Sequence, residues 1–402
     1  MKDLQFNTMN INLMISGGGF RATLFHLGVA KHLVKLNLFD KIRVISSASG
    51  GSILNALISL HFDKIKSEED FIRLIEKPII KMIKGDFRNN ALLHTAFTIK
   101  SKSVKKMLDN QLYHKKKMSE LSNKLTSIIN ATDINQGRRW IFTQDKFGGF
   151  DHDYSNMTDK ISISKAVHSS MAFPGLVSPE IIKKKKYNFP IKDNVAKKIQ
   201  LIDGGVYDNT GIFSAKEYLG KLNTLNIVSD TIEVFSSTKK KLGLFNQFKR
   251  IFFLVMDLKT RKERSYFVDR LTIKKNEKEN CMKDKIKGVI FLAEKTCKHY
   301  REYSSSEEVI PDTMNAIPDD IGYDVDIVKL ISRIRTDLDR FNDVEIDCLM
   351  YHGASLLDVS LRKWHPDIYN NCSTVILNKP DYTKDFLEKK LSKSDETRVF
   401  RP

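Results

Sequence analysis

Three short segments carry the residue types that acyl-transfer chemistry needs. Ser49 sits in Ser47-Ala48-Ser49-Gly50-Gly51, after the apolar run KIRVISS and before SILNALISLHF. A serine nucleophile is raised above a sheet on a sharp strand-to-helix turn, whose neighbours must be small because side chains two positions away collide there. The usual pattern has glycine two residues before the serine; Ser47 stands in that place and is still small. Gly17-Gly18-Gly19-Phe20-Arg21 also follows an apolar run, INLMIS, and opens a helical pattern. Successive glycines let backbone N–H groups converge on one point, and a helix N-terminus adds partial positive charge. Such a loop can hold a phosphate or the oxyanion of acyl transfer. Asp203, in Leu201-Ile202-Asp203-Gly204-Gly205, ends a third apolar run. An aspartate there can accept the serine proton, given hydrogen-bond reach and shelter from water.

Taken singly, each segment is also compatible with a plain turn. A P-loop needs GKS or GKT, which is absent, and a dinucleotide fold wants a third spaced glycine where Ala22 stands. The second strand would also have to end in an acid, and it ends in Ser46-Ser47. Together the three segments supply oxyanion donors, nucleophile and base, each at the carboxyl end of a predicted strand. The nearest enzymatic rival is a Ser-His-Asp hydrolase with Ser49, Asp203 and a late histidine, His299, His352 or His365. The early serine, one helix after the glycines, speaks against it. His26 and His168 read as packing residues.

The elements that must position these residues follow from apolar periodicity. Strands are expected over 11–16, 41–47, 137–144, 199–203 and 225–230, with helices after 19, after 51, over 164–175 and near 212–221. Strand–turn–helix twice over predicts an α/β fold with a mainly parallel sheet. Residues 64–125 read as largely helical and basic, 325–364 as two or three amphipathic helices, and 380–402 as a charged, frayed tail.

At this point the chain resembles the patatin-like phospholipases. The GGGxR loop, the serine elbow some thirty residues later and the late DGG form that family's pattern, and SSMAFPGLVSP at 169–179 and DGGVYDNTG at 203–211 extend the match. The resemblance covers residues 11–230; the run IRTDLDRF…E…L…HG is a softer match to some bacterial members. It implies a three-layer α/β/α catalytic domain over 11–230, followed by a mostly helical region, 231–402, packed on or regulating the core. It implies a Ser–Asp dyad with no metal and no cofactor, with Ser49 the nucleophile, Asp203 the base, and the N–H groups of Gly18 and Gly19, with Gly17, an oxyanion hole. Arg21 matches the basic residue after that loop, and Gly51, Gly204 and Gly205 support the two turns. The implied activity is hydrolysis of fatty-acyl esters of phospholipids or related lipids. An effector switched on by a ligand or protein partner, acting on membranes, is an alternative motivated by the large basic remainder. A catalytically silent lipid binder is another.

Composition bounds these readings. At 402 residues, 41% hydrophobic and 29% charged, the chain can bury a large core. A net charge of +18 favours anionic partners such as phospholipid head groups, and no nucleic-acid motif accompanies it. Cys281, Cys297, Cys348 and Cys372 form no CxxC pair and read as reduced thiols of a cytoplasmic protein. Neither a signal peptide nor a membrane span is visible, so any membrane contact is expected to be peripheral. Within 239–256, Lys239, Lys240, Lys241, Lys249 and Arg250 alternate with Phe245, Phe248, Phe252 and Phe253. That stretch reads either as an element packed on the core or as an amphipathic helix at a bilayer interface, and the former is favoured. Lys183–Lys186 reads as a solvated loop or a membrane-facing one.

Overall fold

The computed structural model describes residues 6, 8–85, 99–190, 196–232, 243–271, 285–302, 317–336 and 338–396. Among them, ten strands form one sheet with helices on both faces. The elements that build the site are β1 (Asn10–Ile15), α1 (Gly19–Lys35), β2 (Ile42–Ala48), α2 (Gly50–His61), β3 (Thr126–Asp133), β4 (Arg138–Phe142), β5 (Phe147–Gly149) and β6 (Asp153–Ser155). They continue with α3 (Ile163–Met171), β7 (Glu180–Lys183), β8 (Lys198–Asp203), β9 (Thr224–Asp230), α4 (Leu244–Leu271), β10 (Lys287–Leu292), α5 (Val325–Ser332), α6 (Asp343–Trp364) and α7 (Lys384–Glu396).

The order β10-β9-β1-β2-β3 is parallel throughout. These strands are apolar almost without a break, as a sheet covered on both faces requires. The alternation of side chains sorts them into two cores. Leu13, Ile15, Leu225, Ile227, Val289 and Phe291 join the larger core with α1, α2 and α6. Met14, Val228 and Ile290 face the other way, with Ile212, Leu219 and Phe267 of α4. Beyond β3 the sheet turns antiparallel through β4, β5 and β6.

The antiparallel strand β8 positions Asp203. β3 pairs with β2 up to Ala48↔Asn130, and with β8 from Ala131↔Asp203 onward. Consecutive residues of β3 therefore hold the last residue of β2 and the last residue of β8. Since β2 runs parallel to β3 and β8 antiparallel, the two strands point their carboxyl ends at each other, and Ser49 meets Asp203 at the gap.

The residues after 230 complete the same sheet and core. β10 lies beside β9, and α6 crosses α1 at close quarters: a side chain at Gly28 would collide with the Met350 carbonyl, and one at Gly353 with the Phe25 carbonyl. His32 hydrogen-bonds buried Asp358 at 2.9 Å, where Tyr369 and Arg362 also donate. Of the two or three helices expected within 325–364, two are present, α5 and α6. The expected frayed tail is instead helix α7 up to Glu396, because Leu387 and Leu391 are buried. Each such leucine contributes roughly 1.5–3 kcal/mol, enough to hold a short charged helix in place. The helix expected near 212–221 is reduced to Lys216–Leu219.

Candidate active site

Ser49 occupies the turn between β2 and α2 with φ 47° and ψ −124°. A non-glycine residue pays strain in that region, and such strain concentrates at functional turns. Three contacts hold it. The Ser49 N–H donates to the Ser170 hydroxyl at 2.9 Å, and Ser170 also hydrogen-bonds the Ser52 hydroxyl at 2.7 Å. Thr23 of α1 donates to the Gly50 carbonyl at 2.8 Å. Gly50 packs on the Gly19 carbonyl, and a side chain at Gly51 would meet the Ser16 and Ile15 carbonyls at 2.7 and 2.9 Å. The glycines after the serine are thus required by the approach of the glycine-rich loop. Ser47, the departure from the usual pattern, is well accommodated: its hydroxyl accepts from Asn55 at 2.8 Å.

Asp203 is 3% exposed. Its Oδ1 accepts from the Gly205 N–H at 2.8 Å, and the Ser49 hydroxyl is a second hydrogen-bond partner of the carboxyl. Burial pushes the carboxyl up from 3.8 to about 6, against the downward pull of those two hydrogen bonds. The carboxyl end of α3 fixes both residues at once. The Ser170 hydroxyl receives the Ser49 N–H, the Ser170 carbonyl receives Gly204 N–H at 3.1 Å, and the Ala172 carbonyl receives Asp203 N–H at 3.0 Å.

The glycine-rich loop lies across from this pair. Gly18 has φ 135°, a conformation that favours glycine. Gly17 N–H is engaged by the Asn209 side chain and main-chain carbonyl, both at 3.2 Å. That corrects the expectation of Gly17 as an oxyanion donor and leaves Gly18 and Gly19. For these two, no acceptor is present among the described residues. Arg21 faces away from the serine. Its guanidinium donates to the carbonyls of Ser332 (2.5 Å), Ile334 (3.1 Å) and Thr231 (2.8 Å), tying the loop to the end of α5 and to the residue after β9. A side chain at Gly19 would strike the Thr336 carbonyl, so this same stretch also roofs the loop.

The histidines lie elsewhere. His26 is buried between the Ser229 hydroxyl and the Ser16 carbonyl, and burial lowers it to about 4. His168 contacts Glu180, His352 the Ala293 carbonyl and His365 the Gly288 carbonyl. None of these hydrogen bonds is to Ser49 or Asp203. Ser170 and Asn209 escaped the sequence reading as site residues. Both stand inside motifs that had been noticed, SSMAFPG and DGGVYDNTG, so motif membership was the available signal.

The stretch 239–256 resolves in part. Lys239, Lys240 and Lys241 lie outside the described residues, as do the side chains of Phe245, Phe248 and Lys249. The rest is the first half of α4. Phe252 and Phe253 pack on Phe173, with ring centroids 5.6 and 5.9 Å apart, one residue beyond the carbonyl that holds Asp203. Ile251, Leu254, Val255 and Leu258, spaced i, i+3, i+4 and i+7, are exposed. Lys183, Lys185 and Lys186 are exposed while Lys184 is buried. No described helix is long and apolar enough to cross a membrane.

Comparison with known proteins places the chain in a family. A sequence profile of patatin-like phospholipases matches residues 13–216. Human GIVD cytosolic phospholipase A2 is similar in fold, with a TM-score of 0.53 and 10% identity over 92% of this chain and 64% of that one. VipD from Legionella pneumophila aligns with a TM-score of 0.35 and 13% identity over 71% of this chain and 61% of that one. The chain thus spans about three fifths of the length of either structure. No curated protein sequence matches it. The profile covers half of the chain, including Ser49, the glycine-rich loop and Asp203, and on that evidence the chain belongs to the patatin-like phospholipase family.

Proposed function

We propose that the protein is a lipid acyl hydrolase in which Ser49 and Asp203 cleave fatty-acyl esters through an acyl-enzyme. The observation that carries this reading is the register of β3, which sets the ends of β2 and β8 against each other and gives the Ser49 hydroxyl a buried carboxyl as its partner. Asp203 takes the hydroxyl proton as Ser49 attacks the ester carbonyl. Gly18 and Gly19 N–H groups, at the positive end of α1, stabilise the tetrahedral oxyanion. The protonated carboxyl returns its proton to the leaving alcohol, and Asp203 then activates the water that releases the fatty acid. A carboxyl raised to about 6 is ionised at neutral pH yet a stronger base than an ordinary aspartate.

A membrane surface is the substrate's source in this reading. The exposed apolar stripe of α4 runs beside Phe173, close to the Asp203 anchor. Four apolar residues on one outward helix face suit the headgroup–acyl boundary, with the basic surface meeting anionic lipids.

The test is fatty-acid release from mixed anionic phospholipid vesicles. Wild type releases fatty acid, and Ser49→Ala and Asp203→Asn each lower release by about 10³-fold or more. Undiminished release by Ser49→Ala overturns the mechanism. Vesicle binding without release by any of the three proteins favours the silent lipid binder.

A further inference from the structure

The sheet reverses its winding between β1 and β9. From β1 the chain moves to β2 on one side, and from β9 to β10 on the other. Ligands of open α/β sheets bind outside the carboxyl ends of strands at such a switch point. The glycine-rich loop occupies the β1 side. On the β9 and β10 side lies a separate, half-open cavity of about 390 Å³, walled in part by α5 and by Leu349 of α6. Its accessible apolar surface comes from Ile232 and Ala293, backed by the buried side chains of Phe25, Ile331 and Leu349, and its rim carries Lys295, Lys329 and Arg333. Lys329 reaches Asp326 at 3.4 Å, while Lys295 and Arg333 have no ion-pair partner among the described residues. The acid in the lining, Glu294, acts on Arg264, which also pairs with buried Asp230 at 2.7 Å. The rim is therefore net basic, and the size is that of a small-metabolite site.

The same cavity touches the back of the glycine-rich loop. Arg21 and Thr231 line it. The Thr231 hydroxyl donates to the Gly17 carbonyl at 2.8 Å, and Arg21 holds the Thr231 and Ser332 carbonyls. Ser332 and Arg333 begin the stretch that runs to Thr336 above Gly19. A ligand drawing in Lys295 and Arg333 thus pulls on both walls of the loop proposed to hold the oxyanion.

We propose that this cavity binds an organic phosphate, its phosphate on Lys295, Lys329 and Arg333 and its organic part against Ile232 and Ala293, and that occupancy changes the rate of the neighbouring site through Arg21 and Thr231. The coupling rests on the acyl-hydrolase reading above; the binding does not.

Binding is measured by titration calorimetry with glycerol 3-phosphate and adenosine 5′-monophosphate as soluble probes. Its second arm uses phosphatidylcholine vesicles with and without phosphatidic acid as the head-group source. The proteins are wild type, Lys295→Gln/Arg333→Gln, and a charge-matched control, Lys185→Gln/Lys186→Gln, each with an unchanged melting temperature. Saturable binding of a soluble probe, weakened tenfold or more by Lys295→Gln/Arg333→Gln and unchanged in the control, supports a soluble ligand. The same dependence seen only with phosphatidic acid vesicles assigns the phosphate to a lipid head group. Equal weakening in both variants reduces the effect to general attraction by a +18 chain and overturns the proposal, as does the absence of binding by every probe. Repeating the titration on Ser49→Ala separates the two claims. If that variant binds as wild type but also hydrolyses as wild type, the catalytic reading fails and the site stands. If occupancy leaves the wild-type hydrolysis rate within twofold, the coupling is wrong.

Discussion

Asp203 sits where charge is unwelcome, and the proposed mechanism uses that burial to make it a stronger base. Its carboxyl titrates near 6 in the fold, against 3.8 for an unhindered side chain. An acid whose folded-state value is raised favours folding fully below the unfolded value, and that contribution is lost as pH rises through about 6. The loss amounts to about 3 kcal/mol, an upper figure for so buried a group. Asp203→Asn escapes it. Thermal melts of the two proteins should therefore converge near pH 4 and diverge by pH 7, with the variant the more stable; parallel curves would show that Asp203 is not buried as a charge. In the enzyme, kcat/KM should fall on the acid side with an apparent value near 6, because the protonated carboxyl cannot take the serine proton. An acid limb near 4 would place the base elsewhere. At this scale the sequence was informative about type and position. A small-residue turn after an apolar strand exposes Ser49 for local reasons, so it could be read locally. Ser170 and Asn209 could not, because each acts on a partner more than a hundred residues away, Ser49 and Gly17 respectively.

Elements were legible where their pattern is local and strong. β1, β2, β8 and β9 lie within two residues of the expected strands, since continuous apolar runs bounded by Gly, Ser or Asp leave little choice. The orientation of β8 was not legible: whether a strand joins parallel or antiparallel depends on its partner β3. β10 was missed because GVIFL is a five-residue run with no motif attached. α4 follows the favoured reading of its stretch, an element packed on the core, and keeps an outward apolar face on which the proposed membrane contact rests. Phe252 and Phe253 pack inward, while Ile251 (55% exposed) and Val255 (58% exposed) face out. Replacing both with aspartate should leave the melting temperature within about 1 °C of wild type, since exposed positions contribute little to folding. Vesicle binding should fall roughly tenfold, through lost apolar burial in the interface. Unchanged binding in a co-sedimentation assay would remove α4 from the membrane contact.

For the whole molecule, composition and fold act together. A +18 charge favours anionic surfaces, and in the proposed membrane contact the stripe on α4 is the apolar anchor. The two contributions separate with salt. At 0.1 M the screening length is about 10 Å and at 1 M about 3 Å. Affinity for anionic vesicles should drop at least tenfold over that range, whereas the loss caused by the α4 substitutions should persist at 1 M. The region 231–402, read from sequence as packed on or regulating the core, supplies a strand of the sheet, the helix against α1 and the roof of the glycine-rich loop. Nothing local in those residues announces that role; the α1–α6 contact, for one, depends on Gly28 and Gly353 letting two distant helices cross closely.

The central claim is that Ser49 is an activated nucleophile. The most direct test is reaction with a long-chain alkyl fluorophosphonate, followed by intact mass and peptide mapping. The account predicts one phosphonyl adduct per chain on Ser49, lost in Ser49→Ala and slowed in Asp203→Asn. An adduct on another residue, or labelling that survives Ser49→Ala, would contradict it.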